Sequence, residues 1–206
     1  MDRFTNLAAV ACPLGLANVD TDQLIPARFM SRPRDQGYGA YLLRDLRFDA
    51  DGKPLPGFIL NAPRYANAKI LVARRNFGTG SSREAAVYAL WDYGIRCVIA
   101  PSFGDIFASN AVKNGLLPAV VDEDGVETLL RQLAISTPVL RVDLDALSVG
   151  IDAQQFGFQV DPVRRLQLLN GWDDVDLTLR HTEQIAIYRR DRVAAEPWIV
   201  ATPPQR

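Results

Sequence analysis

Cysteine and histidine are nearly absent from this chain. Cys12 and Cys97 are the two cysteines, and His181 is the one histidine, in 206 residues. The cysteines lie far apart and neither has a histidine near it, so the sequence supports neither a disulfide framework nor a self-contained metal site. A reducing cytoplasm is the expected setting. His181, in Leu179-Arg180-His181-Thr182, reads as a surface or helix-start residue rather than a ligand. An excess of either charge is missing too: 23 Lys and Arg face 24 Asp and Glu, which leaves no global field to draw in nucleic acid or an anionic membrane. Any anion has to be bound locally. No segment approaches the ~20 apolar residues of a membrane span. Met1-Asp2-Arg3-Phe4 lacks the apolar core of a signal peptide, so a protein neither membrane-bound nor exported is expected.

The composition, 48% hydrophobic, suits one large domain with a proper core, or one domain with an appendage. Up to about residue 65 the chain reads as loop-rich. Arg28-Phe29-Met30-Ser31-Arg32-Pro33-Arg34-Asp35-Gln36-Gly37 is basic and marked by proline and glycine, as a mobile loop over about 28–38 would be. From residue 69 strand and helix alternate. The predicted order is a strand Lys69 to Ala73, a helix Ser81 to Trp91, a strand Ile95 to Ala100, a helix Phe103 to Val112 and a strand Leu117 to Val121. Two strand–helix–strand units in succession argue for a buried, mainly parallel sheet. Gly94 and Gly115 fit helix C-termini, and Ser102 with Asp105 has capping spacing. A helix Glu123 to Leu133, a strand Val139 to Leu144, short antiparallel strands at Leu147 to Gly150 and Gln155 to Val160, and helices Pro162 to Leu169 and Glu183 to Arg190 follow. The tail from Pro197 to Arg206 is expected to fray.

The densest chemistry lies in Asn76-Phe77-Gly78-Thr79-Gly80-Ser81-Ser82-Arg83-Glu84, between a predicted strand and a predicted helix. Glycines at 78 and 80 let backbone N–H groups approach a ligand, and a following helix N-terminus favours negative charge. Arg83 adds a planar, two-pronged grip on a carboxylate. The same residues also fit a plain capped turn, because Ser81 and Glu84 have capping-box spacing. The three arginines at 28, 32 and 34 read equally as a solvated loop or as groups reaching toward an anion.

Three segments taken together carry a resemblance. Asn18-Val19-Asp20-Thr21-Asp22-Gln23-Leu24-Ile25-Pro26, the nine residues from Asn76, and Ala100-Pro101-Ser102-Phe103-Gly104-Asp105-Ile106-Phe107 through Lys113-Asn114-Gly115-Leu116-Leu117-Pro118 resemble the 3-isopropylmalate dehydratase small subunits, the swivelling-domain half of the aconitase superfamily. The likeness extends to Leu168-Leu169-Asn170-Gly171 and Leu177-Thr178-Leu179. It implies an α/β fold in which residues 1–206 form one swivelling β/β/α domain, with a mainly parallel central sheet flanked by helices and additional short antiparallel strands. It implies a hydro-lyase that moves a hydroxyl between adjacent carbons of 2-isopropylmalate and 3-isopropylmalate in leucine biosynthesis. It also implies a separate large subunit holding a [4Fe-4S] cluster. Two cysteines agree with that division, since a cluster needs three or four thiolates.

On this resemblance the catalytic base is the alkoxide of Ser81. Arg83 grips a substrate carboxylate, Ser82 is an auxiliary hydrogen-bond donor and Gly80 shapes the cradle. Asp20 and Asp22 line the same cleft, although capping a turn is open to either. Arg28 and Arg32 belong to the substrate-recognition loop with Phe29 and Met30, where apolar residues suit an isopropyl group and arginine suits a further carboxylate of a di- or tricarboxylic acid. Two positions depart from the family's Gly-Cys-Gly-Ser-Ser-Arg-Glu-His: Thr79 replaces the cysteine and Ala85 the histidine. They leave open a paralogue acting on 2-methylmalate (citraconate hydratase) or dimethylmalate, and an inactive anion-binding or assembly subunit.

Overall fold

A computed structural model describes residues 1–135 and 139–199. Its strands β1 (Asn6–Pro13), β2 (Ile70–Val72), β3 (Cys97–Ala100), β4 (Leu117–Val120), β5 (Val139–Asp143), β6 (Ser148–Ile151) and β7 (Gln154–Gly157) form one sheet. The order is β4-β3-β2-β1-β5-β6-β7. The pairs from β1 through β4 are parallel, and those from β1 through β7 by way of β5 are antiparallel. The fold is thus mixed α/β, parallel in its helix-covered half, as expected.

The centre of the sheet lies where the sequence gives least sign of a strand. β1 falls in the stretch expected to be loop-rich, yet it pairs with both β2 and β5. Its Leu-Ala-Ala-Val-Ala-Cys run has few of the β-branched and aromatic residues that mark strands. Burial on both faces overrides that preference, and Ala11 and Cys12 are fully buried. Alternation along the strands builds two cores. Cys12, Leu71, Val98 and Ala100 face one of them, while Ala9, Ala11, Ile70, Val72, Cys97 and Ile99 face the other, as a side-chain period of two requires.

The helices of the first compact unit, Met1–Gly171, are α1 (Thr21–Leu24), α2 (Arg44–Arg47), α3 (Glu84–Tyr93), α4 (Asp105–Lys113), α5 (Glu123–Ile135) and α6 (Pro162–Asn170). In α5, Val126, Leu129, Leu130 and Leu133 are buried at helical spacing, each contributing about 1.5–3 kcal/mol of transfer free energy. In α3 the buried face is Ala86, Val87, Ala89 and Leu90, and the helix stops at Gly94, whose φ of 113° lets its N–H reach the carbonyls of Leu90 and Trp91.

The second unit, Trp172–Arg206, carries α7 (Asp174–Leu179) and α8 (Thr182–Ala195), neither with a buried residue. α8 is longer at both ends than the predicted Glu183 to Arg190, with His181 at its N-cap. α7 begins with an Asp173–Asp176 capping box, a start signal whose following run is too short to show a period. Pro197–Ile199 forms a 3-10 turn; the remainder of the expected frayed tail, 200–206, lies outside the described residues. Among those residues no helix is long and apolar enough to cross a membrane.

Candidate active site

Because β1, β2 and β3 are parallel, their C-terminal ends open on the same edge of the sheet, where α/β proteins place their ligands. Three loops meet there. The Asn18 N–H donates to the Arg75 carbonyl (2.9 Å), Gly78 N–H to Val19 (2.7 Å) and Thr21 N–H to Thr79 (2.9 Å). From the third loop, the Phe77 N–H reaches the Ser102 carbonyl (3.0 Å) and Gly104 N–H reaches that of Phe77 (2.9 Å). Side chains brace the same junction. Asn76 Nδ2 donates to Asn18 Oδ1 (2.8 Å), and the Ser102 hydroxyl accepts from the Asn76 N–H (2.9 Å) while facing Asn76 Oδ1 at 3.2 Å. Asn18 and Asn76 have φ of 56° and 61°, the left-handed region that asparagine tolerates better than most residues.

Those bonds correct two readings. Ser102 does not cap α4; Gly104 stands at its N-cap with no side-chain cap, because the hydroxyl is used on Asn76. Gly78 does not offer its N–H to a ligand either, since Val19 takes it. Its lack of a side chain makes room instead: a Cβ there would lie 2.2 Å from Cγ of Phe107, at φ +72°. Gly78→Ala is therefore expected to destabilise the fold by about 3 kcal/mol, combining overpacking with a strained backbone. Denaturant unfolding checks this, and a midpoint within error of the parent would refute it. Gly80 has φ +93° and only ordinary contacts, to Asp20 and Thr21, so the turn itself, and not crowding, calls for glycine.

The capped-turn reading of Ser81 also fails. α3 starts at Glu84 with Arg83 in the N-cap position, extended and with no side-chain cap. Glu84 instead accepts from Asn114 Nδ2 at 2.9 Å. Ser81 and Ser82 are exposed. Among the described residues neither hydroxyl has a hydrogen-bond partner. The loop is held through its main chain, by the Thr21 hydroxyl donating to the Ser81 carbonyl (2.9 Å). Thr21 is 2% exposed and was not picked out in the sequence as a site residue, nor were Asn18 and Asn76, while Ser102 was read only as a helix cap. The signal they left is an asparagine close after a strand in two loops that must meet.

Asp20 and Asp22 come to this loop by different routes. Asp20 forms a parallel bridge with Thr79, and its carboxylate caps α1, accepting from the Gln23 N–H (2.7 Å). Asp22 forms an ion pair with Nη1 of Arg83. The other guanidinium edge of Arg83 has no partner among the described residues. Arg28 and Arg32 are held apart from residues 79–83: no hydrogen bond or ion pair joins them among the described residues. Arg28 pairs with Asp45 and lies 4.5 Å from the Phe29 ring centroid, and Arg32 lies over Tyr41 at 5.3 Å. Phe29 and Tyr41 stack at 4.4 Å. At the departures from the family motif, Thr79 Oγ1 donates to the Asn76 carbonyl (3.3 Å), and Ala85 packs against the core while Asn114 holds its neighbour Glu84.

Two exposed hydroxyls, a helix N-terminus and a guanidinium with one edge on Asp22 lie together here, an arrangement whose chemistry suits an anion such as a carboxylate. A cluster does not fit the cysteines of this chain. Cys12 and Cys97 are buried in the sheet, and burial pushes the Cys12 thiol up to about 12 against a smaller pull from Arg64, and the Cys97 thiol up as well. Among the described residues no group of three or more His, Cys, Asp and Glu is placed to hold a metal ion.

Known proteins resemble this chain over most of its length. Residues 1–124 match the Aconitase C-terminal domain family. A 3-isopropylmalate dehydratase small subunit of Rhodospirillum centenum is 49% identical over 96% of this chain and 98% of its own length, and one of Paramagnetospirillum magneticum is 46% identical over 97% and 100%. The crystal structure of a 3-isopropylmalate dehydratase of Methanocaldococcus jannaschii matches with a TM-score of 0.64 at 26% identity, over 88% of this chain and 98% of that one. With similarity running almost end to end and the three site loops inside the matched region, the chain belongs to the family of 3-isopropylmalate dehydratase small subunits.

Proposed function

We propose that this chain, as one aconitase-type swivelling domain in the cytoplasm, is the small subunit of a hydro-lyase that interconverts 2-isopropylmalate and 3-isopropylmalate in leucine biosynthesis. The observation that carries the reading is the pair of hydroxyls at the N-terminus of α3 that have no hydrogen-bond partner among the described residues, with Arg83 beside them. The hydrogen removed lies next to a carboxylate and is a poor acid, so its loss needs a strong base and stabilisation of the enolate-like charge that develops. Ser81 Oγ, as the alkoxide, takes that proton and returns it in the reverse direction. A serine hydroxyl ionises far above neutral pH. The α3 N-terminus and Arg83 supply the positive potential that brings the alkoxide into use.

Arg83 grips a substrate carboxylate with its open edge while Asp22 holds the other. Ser82 donates a further hydrogen bond, and Gly80 and Asp20 fix the turn that presents them. Arg28 and Arg32, with Phe29, recognise the rest of the substrate. A [4Fe-4S] cluster held by the large subunit would supply the Lewis acid for departure of the hydroxyl; among the described residues of this chain no group of three or more His, Cys, Asp and Glu is placed to hold a metal ion.

The test is an anaerobic assay of this chain reconstituted with its large subunit, against isopropylmalate, methylmalate, dimethylmalate and homocitrate-type acids. Turnover is expected with isopropylmalate and only from the pair. Preference for methylmalate or dimethylmalate would overturn the substrate assignment, and activity of the chain alone would overturn the division of labour.

A further inference from the structure

The recognition stretch is tied to the same helix that presents Ser81 and Arg83, at its opposite end. Asp92, in the last turn of α3, accepts both guanidinium nitrogens of Arg34 (2.6 and 2.9 Å) and the Tyr38 N–H (2.7 Å). The Arg34 guanidinium lies 4.4 Å from the ring centroid of Tyr88, also on α3. Tyr38 is 5% exposed, and its hydroxyl donates to the Arg32 carbonyl at 2.8 Å. Gly39 presses so closely on Asp92 that a Cβ would lie 2.7 Å from its carbonyl carbon and oxygen. A carboxylate in this place breaks a local rule: the C-terminal turn of a helix favours cations, at a cost of about 0.3–1 kcal/mol for an acid. The last turn of α3 contains no basic residue; the cations at this end come from outside the helix, Arg34 on the carboxylate and Arg96, whose Nη1 donates to the Trp91 carbonyl at 2.8 Å. Residues that break local rules mark functional demands, and the demand visible here is the loop.

We propose that Asp92 is a positioning residue for substrate recognition, a latch that fixes the loop bearing Arg28, Phe29 and Arg32 relative to Ser81 and Arg83. About 12 Å of helix separates Asp92 from Glu84, so one rigid element sets both halves of the site. The proposal rests on the functional reading above for the role of the loop.

The test uses Asp92→Asn and, because Asp92 packs closely, Arg34→Gln, which removes the same charge pair from a more exposed side chain. Hydrogen exchange of the segment 29–42 in the full-length small subunit is expected to speed up about tenfold, the loss of a charged hydrogen bond being worth a factor of roughly ten to a hundred. In the reconstituted enzyme, KM for isopropylmalate is expected to rise about tenfold, with kcat changed less than about twofold and Arg34→Lys recovering part of the loss. Unchanged exchange in both variants overturns the latch. Faster exchange with an unmoved KM overturns the positioning role. A wild-type pair inactive on every acid overturns the functional reading, while exchange on the small subunit still decides the latch.

Discussion

Ser81→Ala is expected to reduce kcat of the reconstituted enzyme by about 10²–10⁴-fold, the range typical for loss of a positioned general base, with a much smaller change in KM. The substitution is clean for a structural reason. The Ser81 hydroxyl bonds to nothing among the described residues, whereas the tether from Thr21 goes to the Ser81 carbonyl, which alanine keeps. Ser81→Ala should therefore unfold at the parent midpoint while losing turnover. Steady-state kinetics beside a denaturant curve separates the two effects. Near-normal kcat would remove Ser81 as the base, and Ser82→Ala in the same assay, expected to lose far less, asks whether the neighbouring hydroxyl takes its place.

For Arg83→Lys a rise in KM of about 10–100-fold is expected, with kcat affected less. The guanidinium is largely enclosed, at 18% side-chain exposure, and Asp22 takes one of its terminal nitrogens. A planar fork can serve Asp22 on one edge and a substrate carboxylate on the other. A lysine ammonium is a compact point charge that cannot span both positions, and losing a charged hydrogen bond costs roughly 1.5–3 kcal/mol. An unchanged KM would show that the carboxylate is held elsewhere. Asp22 sharpens the comparison: with the ion pair formed, Arg83 is already oriented before substrate arrives, so part of the ordering entropy is spent on folding rather than on binding.

How much of this was readable in advance follows from where the signals are local. Strand–helix alternation from residue 69 to 121 was legible because each element is announced by its own period and closed by a glycine, as at Gly94 and Gly115. β1 was not, because alanine carries little strand preference and the burial that enforces the strand comes from partners β2 and β5, far along the chain. The site loop was legible as a loop. Whether Ser81 capped α3 was not, since capping-box spacing is necessary for a cap but the backbone decides whether it forms; here Arg83 occupies the N-cap and Asn114 takes Glu84. Thr21, Asn18, Asn76 and Ser102 act across loops that the sequence does not place side by side. The same holds for Asp92, whose meaning depends on a loop about sixty residues earlier.

The position of β1 bears on how the protein is made. A chain synthesised from its N-terminus presents this strand before either of its neighbours: β2 begins at Ile70 and β5 only at Val139. Closing contacts across so many residues is slow, and a long wait with both edges unsatisfied invites pairing with other nascent chains. An alanine-rich strand, short of the β-branched and aromatic side chains that drive aggregation, is a safe one to leave waiting. The same composition that hides β1 from a reader of the sequence hides it from the wrong partners.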